Sequence, residues 1–141
     1  MRARGEAGFT LIEIMVVVFI LALLVALVAP NLMGNLPKAE VAAAKTQIKS
    51  LSAAVHTFRL DNGRYPTTAE GLRALIPPPP ANLPRYDPDG YIEDVEAVPE
   101  DPWHNPYAYV SDGRRFEIIS YGRDGQPGGD GEDADLSSRR S

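Results

Sequence analysis

Residues 9–29 form an apolar run in which Glu13 is the only charged residue. As a helix rising about 1.5 Å per residue, the run would be roughly 30 Å long, which matches the hydrocarbon thickness of a bilayer. The sequence therefore predicts a helix that is long enough to span a membrane. A carboxylate deep in lipid costs about 2.5–3.5 kcal/mol, so Glu13 is predicted to have a partner or a function.

The residues before this run form a short polar leader, residues 1–8, which carries Arg2 and Arg4 and ends at Gly8. Basic residues on this side of a span favour a cytoplasmic N-terminus. A secretory signal would be cut after its apolar run, at a small-x-small site, but here Pro30 follows the run and disfavours such a cut. The apolar segment is therefore predicted to stay attached to the protein.

The junction between leader and apolar run has an ordered pattern: Gly8, Phe9, Thr10, Leu11, Ile12 and Glu13. This pattern resembles the class III leader of type IV pilins and pseudopilins. The resemblance implies that a membrane prepilin peptidase cuts after Gly8 and methylates the new amine of Phe9. It also implies that Glu13 pairs with that amine, on the same or a neighbouring subunit, when subunits assemble through the helix.

Composition limits what else the chain can be. Its 141 residues, 44% of them hydrophobic, leave room for one small domain besides the apolar segment. A net charge of −5 argues against nucleic acid as a partner, and the absence of cysteine excludes a disulfide framework and a thiol nucleophile. The two histidines, His56 and His104, are interpreted as a helix-surface residue and a turn residue, because neither has a nucleophile or metal-ligand spacing nearby. The chain is predicted not to be an enzyme.

An amphipathic helix is predicted from Lys38 onward. Apolar residues recur there at alternating spacings of three and four, at Val41, Ala44, Ile48, Leu51, Val55 and Phe58. Such a stripe could mediate a coiled coil, but in so short a chain it is predicted to cover the chain's own sheet. Gly63 is predicted to end the helix, because glycine accepts the left-handed geometry of a C-terminal cap. Before the helix, Pro30 and Pro37 predict either a kink or local melting, or a simple linker.

Shorter elements are predicted after this helix. Thr67 and Glu70 fit a capping box that opens a short helix. Residues 107–110 and 116–121 are rich in aromatic and β-branched residues, and the turn chemistry between them predicts a β-hairpin. A third strand is predicted around residues 91–95. Together these segments predict an α+β fold in which one helix packs on a small antiparallel sheet.

An acidic, glycine-rich stretch follows the hairpin. Its carboxylates are Asp124, Asp130, Glu132, Asp133 and Asp135. Calcium needs six to eight oxygen ligands, and glycines allow carboxylates and carbonyls to converge on one ion. The spacing does not match the EF-hand pattern, so the residues by themselves leave open either a calcium site or a solvated acidic tail.

A wider resemblance rests on four stretches of the chain, residues 61–68, 71–72, 101–107 and 122–129. These stretches make the chain similar to the major pseudopilin family of the type II secretion system, which more often has glycine at the position of His104. The resemblance implies a type IV pilin-like fold with a C-terminal calcium loop. It also implies a cleaved leader at residues 1–8, a transmembrane and assembly helix at 9–33 and a periplasmic head at 34–141.

The same resemblance implies a function and a metal site. The chain would be the repeating subunit of a pseudopilus that helps drive folded exoproteins across the outer membrane, and before assembly it would cross the inner membrane once. Its partners would be copies of itself, minor pseudopilins, the prepilin peptidase and an inner-membrane assembly platform. The implied calcium ligands are the carboxylates of Asp124, Asp130, Glu132 and Asp133 and the backbone oxygens of Tyr121 and Gln126. Alternatives are a type IV pilus or DNA-uptake pilin, and a monomeric, membrane-anchored periplasmic calcium-binding domain.

Overall fold

Two helices make up the first part of the chain, α1 (Leu11–Met33) and α2 (Leu36–Asn62). The computed structural model describes residues 8–33, 36–80, 82–93 and 95–139, without the side chains of residues 28–33. The chain divides into two compact units, one up to Pro37 and one from Lys38. Pro30 lies within α1 and Pro37 in the first turn of α2, where a missing backbone donor costs least. The stretch predicted as a kink, a melted segment or a linker, residues 30–37, includes residues 34–35, which lie outside the described residues.

Helix α1 is apolar on every side. From Leu11 to Leu27 its large hydrophobic side chains are between 49% and 82% exposed. A helix with this pattern has no solvent-facing polar side, unlike the amphipathic helices that cover a protein core. Counting only the residues that are described, none of the helices is long and apolar enough to cross a membrane.

Helix α2 is amphipathic, as its periodicity predicts. Its buried residues are Ala44, Ile48, Leu51, Ala54, Val55 and Phe58, and Val41 is half-buried. The helix ends where Gly63, with a φ of +76°, donates a backbone hydrogen bond of 2.8 Å to the carbonyl of Arg59. This geometry confirms the predicted C-terminal cap, because a residue with a Cβ is strained at such a φ.

The sheet has three antiparallel strands in the order β1 (Ala108–Ser111), β2 (Phe116–Ser120) and β3 (Leu136–Ser137). Strands β1 and β2 form the predicted hairpin, with Tyr109 opposite Ile118. In β3, Ser137 lies opposite Ile119 of β2, so the C-terminal segment is an edge strand. The core lies between the sheet and the stripe of α2, where Tyr109, Ile118 and Phe58 are all buried.

The third strand predicted at residues 91–95 is wrong. The described part of that stretch forms bends and a turn. Tyr91 donates a backbone hydrogen bond of 2.8 Å to the carbonyl of Leu75, and its hydroxyl accepts one of 2.8 Å from the side chain of Asn62. These contacts hold the segment against a 3₁₀ helix (Gly71–Leu75) and the end of α2, which leaves the edge of the sheet to β3.

The predicted capping box forms in the turn just before that 3₁₀ helix, whose own N-cap residue, Glu70, makes no side-chain cap to it. The backbone N–H of Thr67 donates to the carboxylate of Glu70 at 2.7 Å, and the N–H of Glu70 donates to the Thr67 hydroxyl at 3.3 Å. Nη1 and Nη2 of the Arg64 guanidinium each donate to the same carboxylate at 2.7 Å. The carboxylate of Glu70 therefore accepts three hydrogen bonds, one from the backbone and two from Arg64, and these hold the turn after α2.

Candidate functional site

The predicted cleavage position is open in the structure. A Cβ placed on Gly8 would meet no atom within 4 Å, and Phe9 is 83% exposed. Both residues precede the first turn of α1, which begins at Leu11. The bond between Gly8 and Phe9 therefore lies in accessible, non-helical backbone, the form of chain that a peptidase can bind in an extended conformation.

The carboxylate of Glu13 folds back onto the start of its own helix. Its Oε2 accepts hydrogen bonds from the backbone N–H and the hydroxyl of Thr10, at 3.0 and 3.1 Å. The N–H of Glu13 donates in return to the Thr10 hydroxyl at 3.3 Å. This is a reciprocal capping box, and it places the negative charge at the positive end of the helix dipole, against Thr10, the residue that follows Phe9. The pattern Thr-x-x-Glu in the sequence is typical of such a box.

The acidic loop connects β2 to β3. The predicted backbone ligands, Tyr121 and Gln126, flank a turn at residues 122–125, and a second 3₁₀ helix (Gly131–Asp133) precedes β3. The two ends of the loop touch closely: a Cβ on Gly122 would lie 2.7 Å from the carbonyl oxygen of Glu132. Glycine is required at that position because the φ is +65° and the neighbouring atoms are backbone.

The side chain of Arg123 forms ion pairs with two acidic residues of this loop. Its Nη1 lies 2.9 Å from Oε2 of Glu132, and its Nε and Nη2 lie 3.1 and 3.3 Å from the two oxygens of Asp133. Its backbone N–H also donates to the carbonyl of Glu132 at 2.9 Å. The hydrogen bonds to Asp133, followed by the negative charges of Asp133 and Glu132, raise the pKa of Arg123. Sequence reasoning missed this residue, because its partners lie nine and ten positions further along a loop without periodicity.

Two other acidic side chains, those of Asp124 and Asp135, accept hydrogen bonds from backbone N–H groups of the loop. Oδ1 of Asp124 accepts the N–H of Gln126 at 3.0 Å, and both oxygens of Asp135 accept the N–H of Gly128 at 3.0 Å. Asp130 precedes the second 3₁₀ helix, and its carbonyl accepts the N–H of Asp133 at 3.2 Å. Among the described residues, no three acidic or histidine side chains converge as a metal site.

The donor set nevertheless has the chemistry of a hard-cation site. Carboxylate and carbonyl oxygens are the ligands that calcium prefers, and the glycines bring these oxygens onto one short loop. The guanidinium of Arg123 is a positive charge already bound by two of the predicted ligands, Glu132 and Asp133. These two carboxylates therefore lie together around a cation, whereas Asp124 and Asp130 do not join them.

A buried polar cluster supports the start of this loop. Asp101 is 2% exposed, and its Oδ1 accepts the backbone N–H groups of Trp103 and Asn105 at 3.1 and 2.8 Å. The side chain of Asn105 donates to the carbonyl of Gly122 at 2.9 Å. The turn at residues 101–105 thus positions the first residues of the acidic loop. The resembling stretch of residues 101–107 contains this turn, but no local sequence pattern predicts the hydrogen bond between Asn105 and Gly122, which are 17 residues apart.

The aromatic side chains and the two histidines differ in how deeply they are buried. Tyr107 and Tyr109 are buried in the core, and burial raises the pKa of both hydroxyls. Trp103 is half-buried, and its indole N–H donates to the carboxylate of Glu40 at 3.0 Å. His56 is exposed on α2, and His104 occupies the turn with a φ of +66°, which agrees with their interpretation as surface and turn residues.

Comparisons with known proteins cover both units of the chain. Residues 3–29 match the family model described as the prokaryotic N-terminal methylation motif, and residues 31–139 match the one described as type II secretion system protein G. A protein named type II secretion system core protein G from Pseudomonas aeruginosa is 45% identical over 98% of both chains. A protein of the same name from Vibrio cholerae is 44% identical over 97% of this chain and 94% of its own length.

A solved structure also resembles this chain. It is the crystal structure of the major pseudopilin from the type 2 secretion system of enterohaemorrhagic Escherichia coli, with 36% sequence identity and a TM-score of 0.60. The match covers 77% of this chain and 94% of the solved chain. The similarity therefore extends to the arrangement of helix and antiparallel sheet as well as to the sequence.

Proposed function

Because the chain belongs to the family of type II secretion system protein G, the major pseudopilin, we propose that it polymerises through α1 into a pseudopilus that helps drive folded exoproteins across the outer membrane. The family is structural, not enzymatic. Of the alternatives left open by the sequence, the match of residues 31–139 to this family favours the secretion subunit over a pilus or DNA-uptake pilin. The same match favours the secretion subunit over a monomeric calcium-binding domain.

The observation that carries the assembly proposal is the capping box between Thr10 and Glu13. In an otherwise apolar helix, it holds the single carboxylate against Thr10, the residue that follows Phe9, and Phe9 would become the N-terminus on cleavage after Gly8. A new amine on Phe9 would lie next to a fixed negative charge, and ion pairs in apolar surroundings are strongly orientation-dependent. Glu13 would thereby set how far an incoming subunit moves along the fibre axis.

Processing, anchoring and partners follow from the same proposal. The match to the methylation motif supports a membrane-anchored, envelope-associated protein. The apolar run of residues 9–29 continues beyond Leu27, the last residue of α1 whose side chain is described, and we propose that the whole run crosses the inner membrane once with the head in the periplasm. The partners would be other copies of the chain, minor pseudopilins, the prepilin peptidase and the inner-membrane assembly platform, without nucleic acid.

Two variants of the full chain test this proposal in cells that express the other secretion components. Gly8→Val should keep the leader, because a β-branched residue restricts the extended backbone that the peptidase needs, and the mass of the purified protein would show it. Glu13→Ala should be cut normally yet give few fibres after shearing and immunoblotting. Glu96→Ala, an exposed acidic residue of the second unit, is the control. Normal fibres from Glu13→Ala would refute the role of Glu13, and normal maturation of Gly8→Val would refute the cleavage position.

We also propose that the acidic loop binds a structural calcium ion. The supporting observation is that Glu132 and Asp133 already share a cation; Asp124 and Asp130 would join them, together with the backbone oxygens of Tyr121 and Gln126. Bound calcium would supply positive charge that offsets the repulsion among these carboxylates. A ligand at a hundredfold excess over Kd stabilises the folded state by about 2.7 kcal/mol.

The calcium proposal is tested by thermal unfolding with calcium or with a chelator. We expect a higher melting temperature in calcium, a loss of most of that difference in Asp124→Ala, and little effect of magnesium, which demands compact octahedral geometry. Asp89→Ala, an exposed residue outside the loop, is the control. Identical melting curves of the wild type in calcium and chelator would contradict the proposal.

A further inference from the structure

The acidic loop contains its own cation. The guanidinium of Arg123 contacts Glu132 at 2.9 Å and Asp133 at 3.1 Å, and these are two of the four carboxylates proposed to bind calcium. A carboxylate oxygen that accepts a charge-assisted hydrogen bond from a guanidinium has given up part of its capacity to bind another cation. The arginine and a calcium ion would therefore compete for the same oxygens.

We propose that Arg123 is an internal competitor of calcium, so that calcium binds this loop only after the guanidinium has left Glu132 and Asp133. The inference rests on the proposed calcium function of the loop. The ion pairs of Arg123 would keep the loop closed without calcium. The calcium affinity of the loop would then depend on the cost of releasing this one side chain.

The geometry allows the side chain to leave without unfolding the loop. The side chain of Arg123 is 57% exposed, against 29% for Glu132 and 33% for Asp133. Exposed ion pairs of this kind contribute little to stability and exchange readily with water. The backbone of Arg123 stays anchored by its own N–H, which donates to the carbonyl of Glu132 at 2.9 Å. Release of the guanidinium is thus a side-chain rotation, not a rearrangement of the chain.

The loop keeps three further ties that do not involve the arginine side chain. Asp124 caps the N–H of Gln126, Asp135 caps the N–H of Gly128, and Asn105 holds the carbonyl of Gly122. These bonds would preserve the turns while the guanidinium moves. Once the guanidinium has left, Glu132 and Asp133 would repel each other, and only another cation could offset that repulsion.

The test measures calcium affinity of the full chain in detergent micelles, by titrating calcium against a competing fluorescent indicator. Arg123→Ala and Arg123→Gln remove the charge, and the second keeps most of the volume and some hydrogen bonding. We expect both to bind calcium about twofold to fivefold more tightly than the wild type, the size of one exposed ion pair. Arg139→Ala is the matched control, because Arg139 is 53% exposed and pairs with Glu117 outside the loop.

Amide hydrogen exchange of residues 122–135 separates competition from a purely structural role. In chelator, exchange should be faster in Arg123→Gln than in the wild type, and at saturating calcium the two should be equal. Equal or weaker calcium binding by both Arg123 variants would overturn the inference while leaving the calcium site intact. Absence of calcium binding in the wild type and in all variants would refute the calcium proposal itself, and this inference with it.

Discussion

The hydroxyl of Ser120 donates a hydrogen bond of 2.6 Å to Oδ2 of Asp101, and neither residue is more than 2% exposed. The bond joins the end of β2 to the turn at residues 101–105. Because Oδ1 of Asp101 also accepts two part-buried backbone N–H groups, this buried carboxylate satisfies three donors. A buried polar group is costly only when it lacks partners, so the cluster stabilises as a unit.

Removal of Asp101 should therefore be far more costly than removal of an ordinary surface aspartate. We expect Asp101→Ala to lower the free energy of unfolding by about 3–4 kcal/mol, since it leaves the Ser120 hydroxyl and two N–H groups unpaired. Ser120→Ala, which removes one donor, should cost about 1–2 kcal/mol. Urea unfolding of the head, residues 34–141, measures both, with the exposed Asp89→Ala as control. A loss below 1 kcal/mol for Asp101→Ala would show that the cluster is not a stabilising unit.

The pair of Arg64 and Glu70 should make stability depend on pH in the acid range. Hydrogen bonds from Arg64, followed by those from Thr67, lower the pKa of Glu70 from 4.5 to about 2. A carboxyl with a depressed pKa stabilises the fold above its unfolded pKa and loses that contribution as pH falls. The window of loss therefore runs from about pH 4.5 to about pH 2.

Glu70→Gln isolates this contribution. At pH 7 we expect the variant to be about 1–2 kcal/mol less stable, below the full value of the shift because the side chain of Arg64 is 36% exposed. The difference from the wild type should shrink steadily between pH 4.5 and pH 2 in urea unfolding curves. Glu96→Gln, on an exposed glutamate, is the control. A difference that stays constant over this range would contradict the assigned pair.

His104 occupies a backbone conformation that suits glycine better. Its φ is +66°, its side chain is 89% exposed, and its N–H donates to the carbonyl of Asp101 at 2.9 Å. We expect His104→Gly to stabilise the head by about 0.5–1 kcal/mol, because relief of strain exceeds the entropy that glycine adds to the unfolded chain. His104→Ala, which keeps a Cβ, should give no such gain. A destabilised glycine variant would show that the imidazole makes a contact that matters more than the strain.

Gly122 should tolerate substitution less well than Gly128, although both have a positive φ. A Cβ at Gly122 would lie 2.7 Å from backbone atoms of Glu132 and Asp133, whereas one at Gly128 would meet nothing within 4 Å. We expect Gly122→Ala to cost about 2–4 kcal/mol and Gly128→Ala about 1–2 kcal/mol in thermal unfolding. Equal losses would mean that the two ends of the loop can separate without penalty.

Periodicity and turn chemistry predicted the parts of the fold that depend on local sequence. The stripe of α2, the cap at Gly63, the box of Thr67 and Glu70, and the hairpin all follow from spacings of a few residues. Strand β3 could not be predicted in this way, because Leu136 and Ser137 are too few to alternate, and their pairing with β2 depends on a connection of fifteen residues. The stretch at residues 91–95 shows the converse error, since its composition suits a strand but Asn62 and Leu75 hold its start as a turn.

The candidate sites also divide into one that is contiguous in the sequence and others whose residues are brought together only by folding. The pattern from Gly8 to Glu13 is contiguous, so it could be read from the sequence, whereas the partners of Arg123 and Asp101 are brought together by folding. The residue types left both a calcium site and a solvated acidic tail open, and the predicted ligands came from the family resemblance. The structure shows that Asp124 and Asp135 already cap turns, and that an arginine between the loop's ends binds Glu132 and Asp133. Residue type alone does not reveal which charges are already neutralised.

The uniform apolarity of α1 has a mechanical consequence for a fibre built from it. A cylinder that is equally apolar on all sides can turn about its long axis in an apolar bundle with little change in free energy. Sliding along that axis, by contrast, would separate Glu13 from the Phe9 amine with which we propose that it pairs. In such a fibre, the helix would resist sliding along its axis but not rotation about it. Resistance of the fibre to twisting would therefore come from contacts between the polar surfaces of the second unit, residues 38–139.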